Sequence, residues 1–106
     1  MLPDQTIQAA VERIVAAANP TKVILFGSYG RGEANEDSDL DLMVVEPEVV
    51  NRVGEMARLR RAVGLFEIGV DILVYSEAEF AEKRQWRSSV VRWAVEEGKV
   101  MYERHQ

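Results

Sequence analysis

Residues 23–45 read VILFGSYGRGEANEDSDLDLMVV, and this stretch decides how the chain folds. Each end of the stretch is an apolar run, and the two runs enclose a glycine-rich segment and an acidic one. Short apolar runs that are bounded by turn residues are typical of buried β-strands. The stretch therefore predicts a strand over Lys22–Phe26 and a glycine-rich turn over Gly27–Asn35. A polar loop over Glu36–Ser38 and a second strand over Asp39–Val45 follow.

Three acidic residues lie in predicted strands. Asp39 and Asp41 begin the second strand, and Asp71 lies within a later apolar run, Val70–Tyr75. Side chains alternate between the two faces of a strand, so Asp39 and Asp41 are expected to point the same way, about 7 Å apart. Mg²⁺ prefers carboxylate oxygens, and it keeps waters and substrate phosphates in its coordination shell. We therefore predict a catalytic Mg²⁺ site at these acids, in which Asp71 could also act as base toward an incoming hydroxyl.

The turn after the first strand has the features of a phosphate site. Gly27 allows the backbone to approach a phosphate closely. Ser28 and the N–H groups that follow it can donate hydrogen bonds to phosphate oxygens, especially if residues 29–32 open a helical turn. Arg31 is a counter-charge for a triphosphate. Gly27, Ser28 and Arg31 are the predicted nucleotide-binding residues, and with the neighbouring acids they predict metal-dependent phosphoryl or nucleotidyl transfer.

These two motifs resemble a known family. Gly27–Gly32 (GSYGRG), followed after Ser28 and a ten-residue spacer by Asp39–Asp41 (DLD), resembles the signature of the nucleotidyltransferase superfamily of DNA polymerase beta. More narrowly, the chain is similar to the minimal nucleotidyltransferase (MNT) antitoxins of prokaryotes over almost its whole length. The resemblance implies a nucleotidyltransferase fold that places the glycine turn and all three acids at one sheet edge. Relatives often carry alanine at Gly30, and we expect the glycine to loosen the turn without removing a functional group.

The resemblance also implies a reaction and a partner. The reaction is Mg²⁺-dependent transfer of AMP from ATP to a hydroxyl, with release of pyrophosphate. Members of the superfamily that modify drugs or nucleic acids use extra domains to hold the acceptor. A chain of 106 residues has little room for them, so we expect the acceptor to be another folded molecule. The implied acceptor is a tyrosine of a cognate HEPN-type ribonuclease toxin, which would form a complex with this chain and be neutralised by AMP transfer.

Two other functions stay open. The chain could neutralise a toxin by binding alone, or it could be a stand-alone nucleotidyltransferase that modifies a small molecule. The three intact acids favour catalysis over the first alternative, and the short length disfavours the second. A calcium loop over Asp37, Asp39, Asp41 and Glu48 is a weaker interpretation, because Leu42 stands where such a loop needs a glycine.

Length and composition limit the class of protein. The 106 residues predict one domain, over residues 1–106. A formal net charge of −5 argues against broad nucleic-acid binding but permits a basic protein partner. The absence of cysteine excludes disulfides and thiolate metal sites. No signal peptide or apolar run of about 20 residues is evident, so a cytoplasmic protein without membrane contact is expected.

Apolar periodicity and turn residues predict the remaining elements. Helices are predicted over Thr6–Ala18, Val49–Val63, Glu77–Trp86 and Ser89–Glu97. A third strand is predicted over Val70–Tyr75, a connection over Gly64–Gly69 and a short extended tail over Lys99–Tyr102. Ser76 with Glu79 reads as a capping box at a helix start. The order of elements predicts an α/β (α+β) fold in which helices pack on a short mixed β-sheet.

Two further patterns lie on the predicted helices. Arg58, Arg60 and Arg61 indicate a solvated face that pairs with nearby acids. Trp86 and Trp93 are seven residues apart and would share one face of a continuous helix. Core packing is the favoured interpretation of this pair, and a docking surface is the alternative.

Overall fold

A four-stranded mixed sheet forms the centre of the molecule in the computed structural model, which describes residues 2–64 and 68–104. In chain order the elements are α1 (Asp4–Ala18), β1 (Lys22–Phe26), α2 (Gly27–Gly30), β2 (Leu40–Glu46), α3 (Arg52–Val63), β3 (Val70–Ser76), α4 (Glu77–Lys83), α5 (Val90–Glu97) and β4 (Lys99–Glu103). The strand order is β3-β2-β1-β4; β2 and β3 are parallel, and β1 is antiparallel to both its neighbours. The predicted mixed sheet packed with helices is confirmed.

Strand alternation divides the core between the two faces of the sheet. Leu42 of β2 and Ile72 of β3 share one face with buried residues of α1 and α3. Met43 of β2 shares the other face with Phe26, Phe80 of α4 and buried residues of α5. Burying each such side chain contributes about 1.5–3 kcal/mol. By the same alternation, the odd-numbered positions of β2 and β3 lie on the face that α4 and α5 cover.

The helix ends follow local capping chemistry. The helix predicted from Val49 begins only at Arg52, because the Asn51 side chain accepts a 3.0 Å hydrogen bond from the Gly54 amide and so caps α3. Val53, in the first turn of α3, is 77% exposed. The capping box of Ser76 and Glu79 is confirmed at the start of α4. Residues 65–67 of the predicted connection lie outside the described residues. No helix among those described is long and apolar enough to cross a bilayer.

The C-terminal part of the chain departs most from expectation. Helix α4 ends at Lys83 and α5 begins at Val90, so Trp86 lies between two helices. Trp86 and Trp93 are 50% and 41% exposed, and the prediction that they pack in the core is wrong. The predicted extended tail is strand β4, which pairs with β1 and forms one edge of the sheet. Strands β4 and β1 are far apart in the sequence, so local pattern could not reveal that they pair.

A second pair of carboxyl groups lies at the far end of β2. Glu46 is 8% exposed, and burial followed by a hydrogen bond with Glu55 raises the pKa of Glu46 to about 7. Arg58 donates two 2.8 Å hydrogen bonds to Glu55, which lowers the pKa of Glu55, and a third to the Ala17 carbonyl. Arg58 therefore pairs with a nearby acid, as the sequence predicts, and joins α3 to the end of α1.

The raised pKa of Glu46 makes stability depend on pH. An acid whose pKa is raised by folding stabilises the protein while protonated, and that stability is lost as pH rises from about 4.5 to about 7. Glu46→Gln keeps a donor toward Glu55 but carries no charge. We expect this variant to melt about 5 °C above wild type at pH 8 and close to wild type at pH 4.5. Thermal melts across that range test this, with Glu48→Gln, at an exposed neighbour, as control. A difference that does not depend on pH would contradict the assignment.

Candidate active site

Two of the three predicted acids face each other across neighbouring strands. Asp41 of β2 and Asp71 of β3 are register partners in the parallel pair and share the face of the sheet that α4 and α5 cover. Their carboxyl groups are close enough to share a hydrogen bond. Asp41 is half-buried and Asp71 is exposed. The register thus brings together two acids that are distant in sequence.

Asp39 lies beside this pair but not in the strand. The strand begins at Leu40, whose amide makes a 2.8 Å hydrogen bond with the Gly69 carbonyl, so the prediction that Asp39 is a strand residue is wrong. Asp39 is exposed, and its carboxylate lies over the Gly69 backbone. A Cβ at Gly69 would lie 2.1 Å from Oδ1 of Asp39. Gly69 therefore leaves the space that the Asp39 side chain occupies.

The charges at this site repel one another. Burial, followed by the neighbouring Asp71 and Asp39 carboxylates, raises the pKa of Asp41 to about 6, against the opposing effect of Arg31. Ionising all three acids at neutral pH is therefore unfavourable in the protein alone. A cation between them would remove this repulsion.

The donor atoms fit a hard cation such as Mg²⁺. Asp41 and Asp71 offer carboxylate oxygens from adjacent strands, with Asp39 at the margin. Among residues 2–64 and 68–104, no three acidic or histidine side chains converge into a complete ligand set. Mg²⁺ is usually held by one or two carboxylates together with waters and substrate phosphates. The arrangement therefore suits Mg²⁺ that binds with a nucleotide rather than Mg²⁺ in an all-protein cage.

The glycine turn lies directly against Asp41. Gly27 has φ +67°, a left-handed conformation that favours glycine. A Cβ at Gly27 would lie 2.2 Å from Oδ2 of Asp41. Ser28 is half-buried in the single turn of α2, and the Arg31 amide donates to the Gly27 carbonyl at 3.1 Å. The predicted phosphate-binding backbone is thus in contact with a predicted metal ligand.

Gly30 has a different role from the one expected. A Cβ at this position would lie 2.6 Å from the Leu25 carbonyl oxygen and 3.5 Å from Cα of Gly98. The turn therefore packs closely on the backbone of β1 and on the end of α5. Glycine at position 30 permits this close packing, which the sequence did not indicate.

Helix α5 supplies partners for Arg31 that the sequence did not indicate. The Arg31 guanidinium lies 5.6 Å from the ring centroid of Trp93, 3.0 Å from the Glu33 carboxylate and 4.0 Å from that of Glu97. The Trp93 ring packs edge-to-face on Phe26, at 5.9 Å between centroids. Arg31 is consequently held beside the glycine turn by Glu33, two residues along the chain, and by Trp93 and Glu97, more than sixty positions away. The sequence offered no signal for these contacts beyond Trp93 itself, which was interpreted as a core residue.

A cleft of about 410 Å³ opens beside the two facing acids. Asp41 and Asp71 lie in its wall. Most of the remaining lining is apolar and comes from α3 and β3, including Met56, Ala57 and Leu73. Phe26, directly before the glycine turn, and Arg60 of α3 also line the cleft, which therefore reaches from the end of β1 to α3 and β3.

Comparison with known proteins points to one family. Residues 6–103 match the family model described as nucleotidyltransferase domain. A Methanocaldococcus jannaschii protein with the provisional name protein adenylyltransferase is 35% identical over 81 residues, which are 76% of this chain and 77% of the relative.

Solved structures that share the fold include two with toxin–antitoxin content. One is a toxin–antitoxin structure with AMP-PNP, with a TM-score of 0.60 and 20% identity over 92% of this chain and 74% of the other. The second contains the tri-AMPylated Shewanella oneidensis HEPN toxin in complex with an MNT antitoxin. Its TM-score is 0.59, at 17% identity over 94% of this chain and 72% of the other.

Proposed function

The chain belongs to the nucleotidyltransferase domain family, and from this premise we propose that residues 1–106 form one adenylyltransferase domain of the MNT antitoxin type. It transfers AMP from ATP to a tyrosine hydroxyl of a cognate HEPN-type toxin and so neutralises the toxin. The observation that carries the proposal is the contact of the Gly27 turn with Asp41, directly opposite Asp71. The provisional name of the archaeal relative and the AMPylated toxin in a structure of the same fold support this choice of reaction and acceptor.

Each predicted site residue has a role in this reaction. Gly27, Ser28 and Arg31 bind the phosphates of ATP, and AMP-PNP in a structure of the same fold supports such a nucleotide. Asp41 and Asp71, with Asp39 beside them, hold Mg²⁺. When bound, Mg²⁺ supplies a Lewis acid that stabilises charge on the phosphate oxygens.

The transfer itself is a single displacement. The acceptor oxygen attacks the α-phosphorus of ATP, the bond from that phosphorus to the bridging oxygen of the β-phosphate breaks, and pyrophosphate leaves. The hydroxyl proton passes to the Asp71 carboxylate, which is exposed and therefore within reach of an incoming side chain. The products are an AMP–tyrosine phosphodiester and pyrophosphate.

Stoichiometry separates catalysis from neutralisation by binding alone. With ATP and Mg²⁺, one molecule of this chain should silence many molecules of its toxin, and mass spectrometry should find AMP added to a toxin tyrosine. Replacing Mg²⁺ with EDTA should prevent both effects. The toxin's ribonuclease activity, assayed over a range of molar ratios, provides the measurement.

The alternatives predict different results in the same assay. An antitoxin that acts by occlusion would need about one molecule per toxin binding site and no ATP, and the toxin mass would stay unchanged. A small-molecule nucleotidyltransferase would leave the toxin both active and unmodified. Either result would refute the proposal.

A further inference from the structure

Trp93 stays partly exposed, although its helix packs on the sheet. Val91 and Ala94, which flank it in α5, are fully buried and fix the helix in place. The Trp93 ring packs edge-to-face on Phe26, at 5.9 Å between centroids, and Phe26 directly precedes Gly27. The ring is therefore anchored where β1 passes into the glycine turn, while the residue remains 41% exposed.

The Arg31 guanidinium has two kinds of neighbour. Its Cζ lies 5.6 Å from the centroid of the Trp93 ring. Its nitrogens form ion pairs with Glu33 at 3.0 Å and with Glu97 at 4.0 Å. A carboxylate occupies N–H donors of the guanidinium, whereas an aromatic face attracts the positive charge and leaves those donors for another acceptor. Phosphate oxygens use the same N–H donors as carboxylates do, so they compete with the two glutamates but not with the ring.

The location of Arg31 connects these neighbours to the candidate active site. The Arg31 amide donates a 3.1 Å hydrogen bond to the Gly27 carbonyl, so its backbone belongs to the glycine turn. Its positive charge also opposes the rise that burial causes in the pKa of Asp41. The guanidinium therefore borders the region to which the proposed function assigns the triphosphate of ATP.

We propose that Trp93 is a positioning residue that holds Arg31 for the triphosphate, and that Glu33 and Glu97 are resting partners which the triphosphate displaces. This inference rests on the proposed function for the presence of a nucleotide at the turn. Trp93 acts through Arg31 and need not touch the nucleotide. The triphosphate carries more negative charge than a carboxylate, which favours the exchange. The ring contact persists before and after it, and so keeps the guanidinium beside the turn.

Removing the ring tests the positioning role. We expect Trp93→Leu to weaken the binding of AMP-PNP with Mg²⁺ about fivefold in calorimetry, the loss expected for one exposed cation–π contact. Trp93→Phe keeps an aromatic face and should stay within about twofold of wild type. Trp86→Leu removes a similarly exposed ring from the segment between α4 and α5, and it should bind as wild type does. Equal affinities of Trp93→Leu and Trp86→Leu would overturn the proposal.

A double-mutant cycle separates positioning from general support of the fold. In Arg31→Gln the ring has no guanidinium to hold, so adding Trp93→Leu should cause no further loss of AMP-PNP affinity. Binding in Arg31→Gln should remain measurable, because Gly27 and Ser28 still offer their phosphate contacts. If the two substitutions lowered the affinity additively, Trp93 would support the turn itself, and the role assigned to it would be wrong.

The displaced carboxylates should act in the opposite direction. Glu97→Gln removes a competitor for Arg31 and should tighten AMP-PNP binding about threefold, as one exposed ion pair is worth. Glu96→Gln is a matched control, since it removes the same charge from the adjacent position of α5, where Glu96 pairs with Arg92 at 2.7 Å. Its affinity should match that of wild type. Weaker binding by Glu97→Gln than by Glu96→Gln would refute the exchange.

These binding measurements are independent of the test of the proposed function, because AMP-PNP binding requires no toxin. A wild-type protein that modifies no toxin but shows the Trp93 and Glu97 effects would refute the proposed function and retain this inference. An AMP-modified toxin without those effects would do the reverse. A wild-type protein that does not bind AMP-PNP with Mg²⁺ would overturn both.

Discussion

Replacing Asp41 with asparagine should abolish AMP transfer while the protein stays folded and becomes more resistant to heat. Asp41 is in contact with the Gly27 backbone and faces Asp71, so it belongs to both the predicted phosphate site and the predicted metal site. A Lewis acid contributes several kcal/mol of charge stabilisation in the transition state, so losing a ligand should lower kcat by roughly a thousandfold. An amide is similar in shape to a carboxylate, and the fold should therefore tolerate it.

The gain in heat resistance has a specific pH dependence. Because burial and the charges of Asp71 and Asp39 raise the pKa of Asp41 to about 6, ionised Asp41 destabilises the metal-free protein. The stability that protonated Asp41 contributes is fully present below about pH 3.8 and is lost as pH rises through about 6. Asp41→Asn should thus melt above wild type at pH 8 in EDTA and lose this advantage at pH 4.

The control for Asp41 is an acid from the turn that precedes β2. Asp37→Asn removes an exposed carboxylate that precedes the strand, and it should change neither kcat nor the melting temperature. Wild-type turnover in Asp41→Asn would remove Asp41 from the catalytic site. Equal melting temperatures at pH 8 would contradict the destabilisation that burial and the Asp71 and Asp39 carboxylates impose on ionised Asp41.

Gly27→Ala should damage both stability and nucleotide binding. The left-handed conformation of Gly27, at φ +67°, costs a residue with a Cβ about 1–2 kcal/mol. The new Cβ would in addition collide with Oδ2 of Asp41, which lies 2.2 Å away. Either the turn or the carboxylate must move, so the phosphate site and the metal site would both be displaced. We expect a fall in melting temperature of about 10 °C and no measurable binding of AMP-PNP with Mg²⁺ by calorimetry.

Gly32→Ala is a matched control for this prediction. Gly32 has φ +73°, almost the same backbone conformation, but a Cβ there would meet no atom within 4 Å. This variant should therefore lose only the 1–2 kcal/mol or so that the backbone conformation costs. Its affinity for AMP-PNP should match that of wild type. If the two variants bound nucleotide equally well, the contact between Gly27 and Asp41 would have no part in the site.

Local pattern predicted the strands and the residue types of the site. The apolar runs gave β1, β2 and β3 to within one residue at each end, because burial between two layers of helices requires continuous apolar side chains there. Capping chemistry gave the start of α4. It missed the start of α3, because Val50 and Val53 fit helical spacing but are exposed to solvent, one before and one after the Asn51 cap.

The tryptophans show the limit of periodicity. Trp86 and Trp93 have helical spacing, yet the chain leaves the helix between them, and both side chains remain partly exposed. Trp93 contacts Phe26 and Arg31 across the fold, so its role is set by neighbours from β1 and the glycine turn. Spacing along one segment carries no information about those neighbours.

The sequence by itself determined which residues could form the site: a glycine turn after one strand, Asp41 near the start of the next and Asp71 in a third. Only the tertiary structure decided how they meet. The parallel register of β2 and β3 sets Asp41 opposite Asp71, and the left-handed backbone of Gly27 brings the turn against Asp41. The packing of α5 places Trp93 against Arg31, and α3 and β3 supply most of the lining of the cleft. Strand register and helix packing depend on contacts between distant residues, and these form only when the whole chain folds.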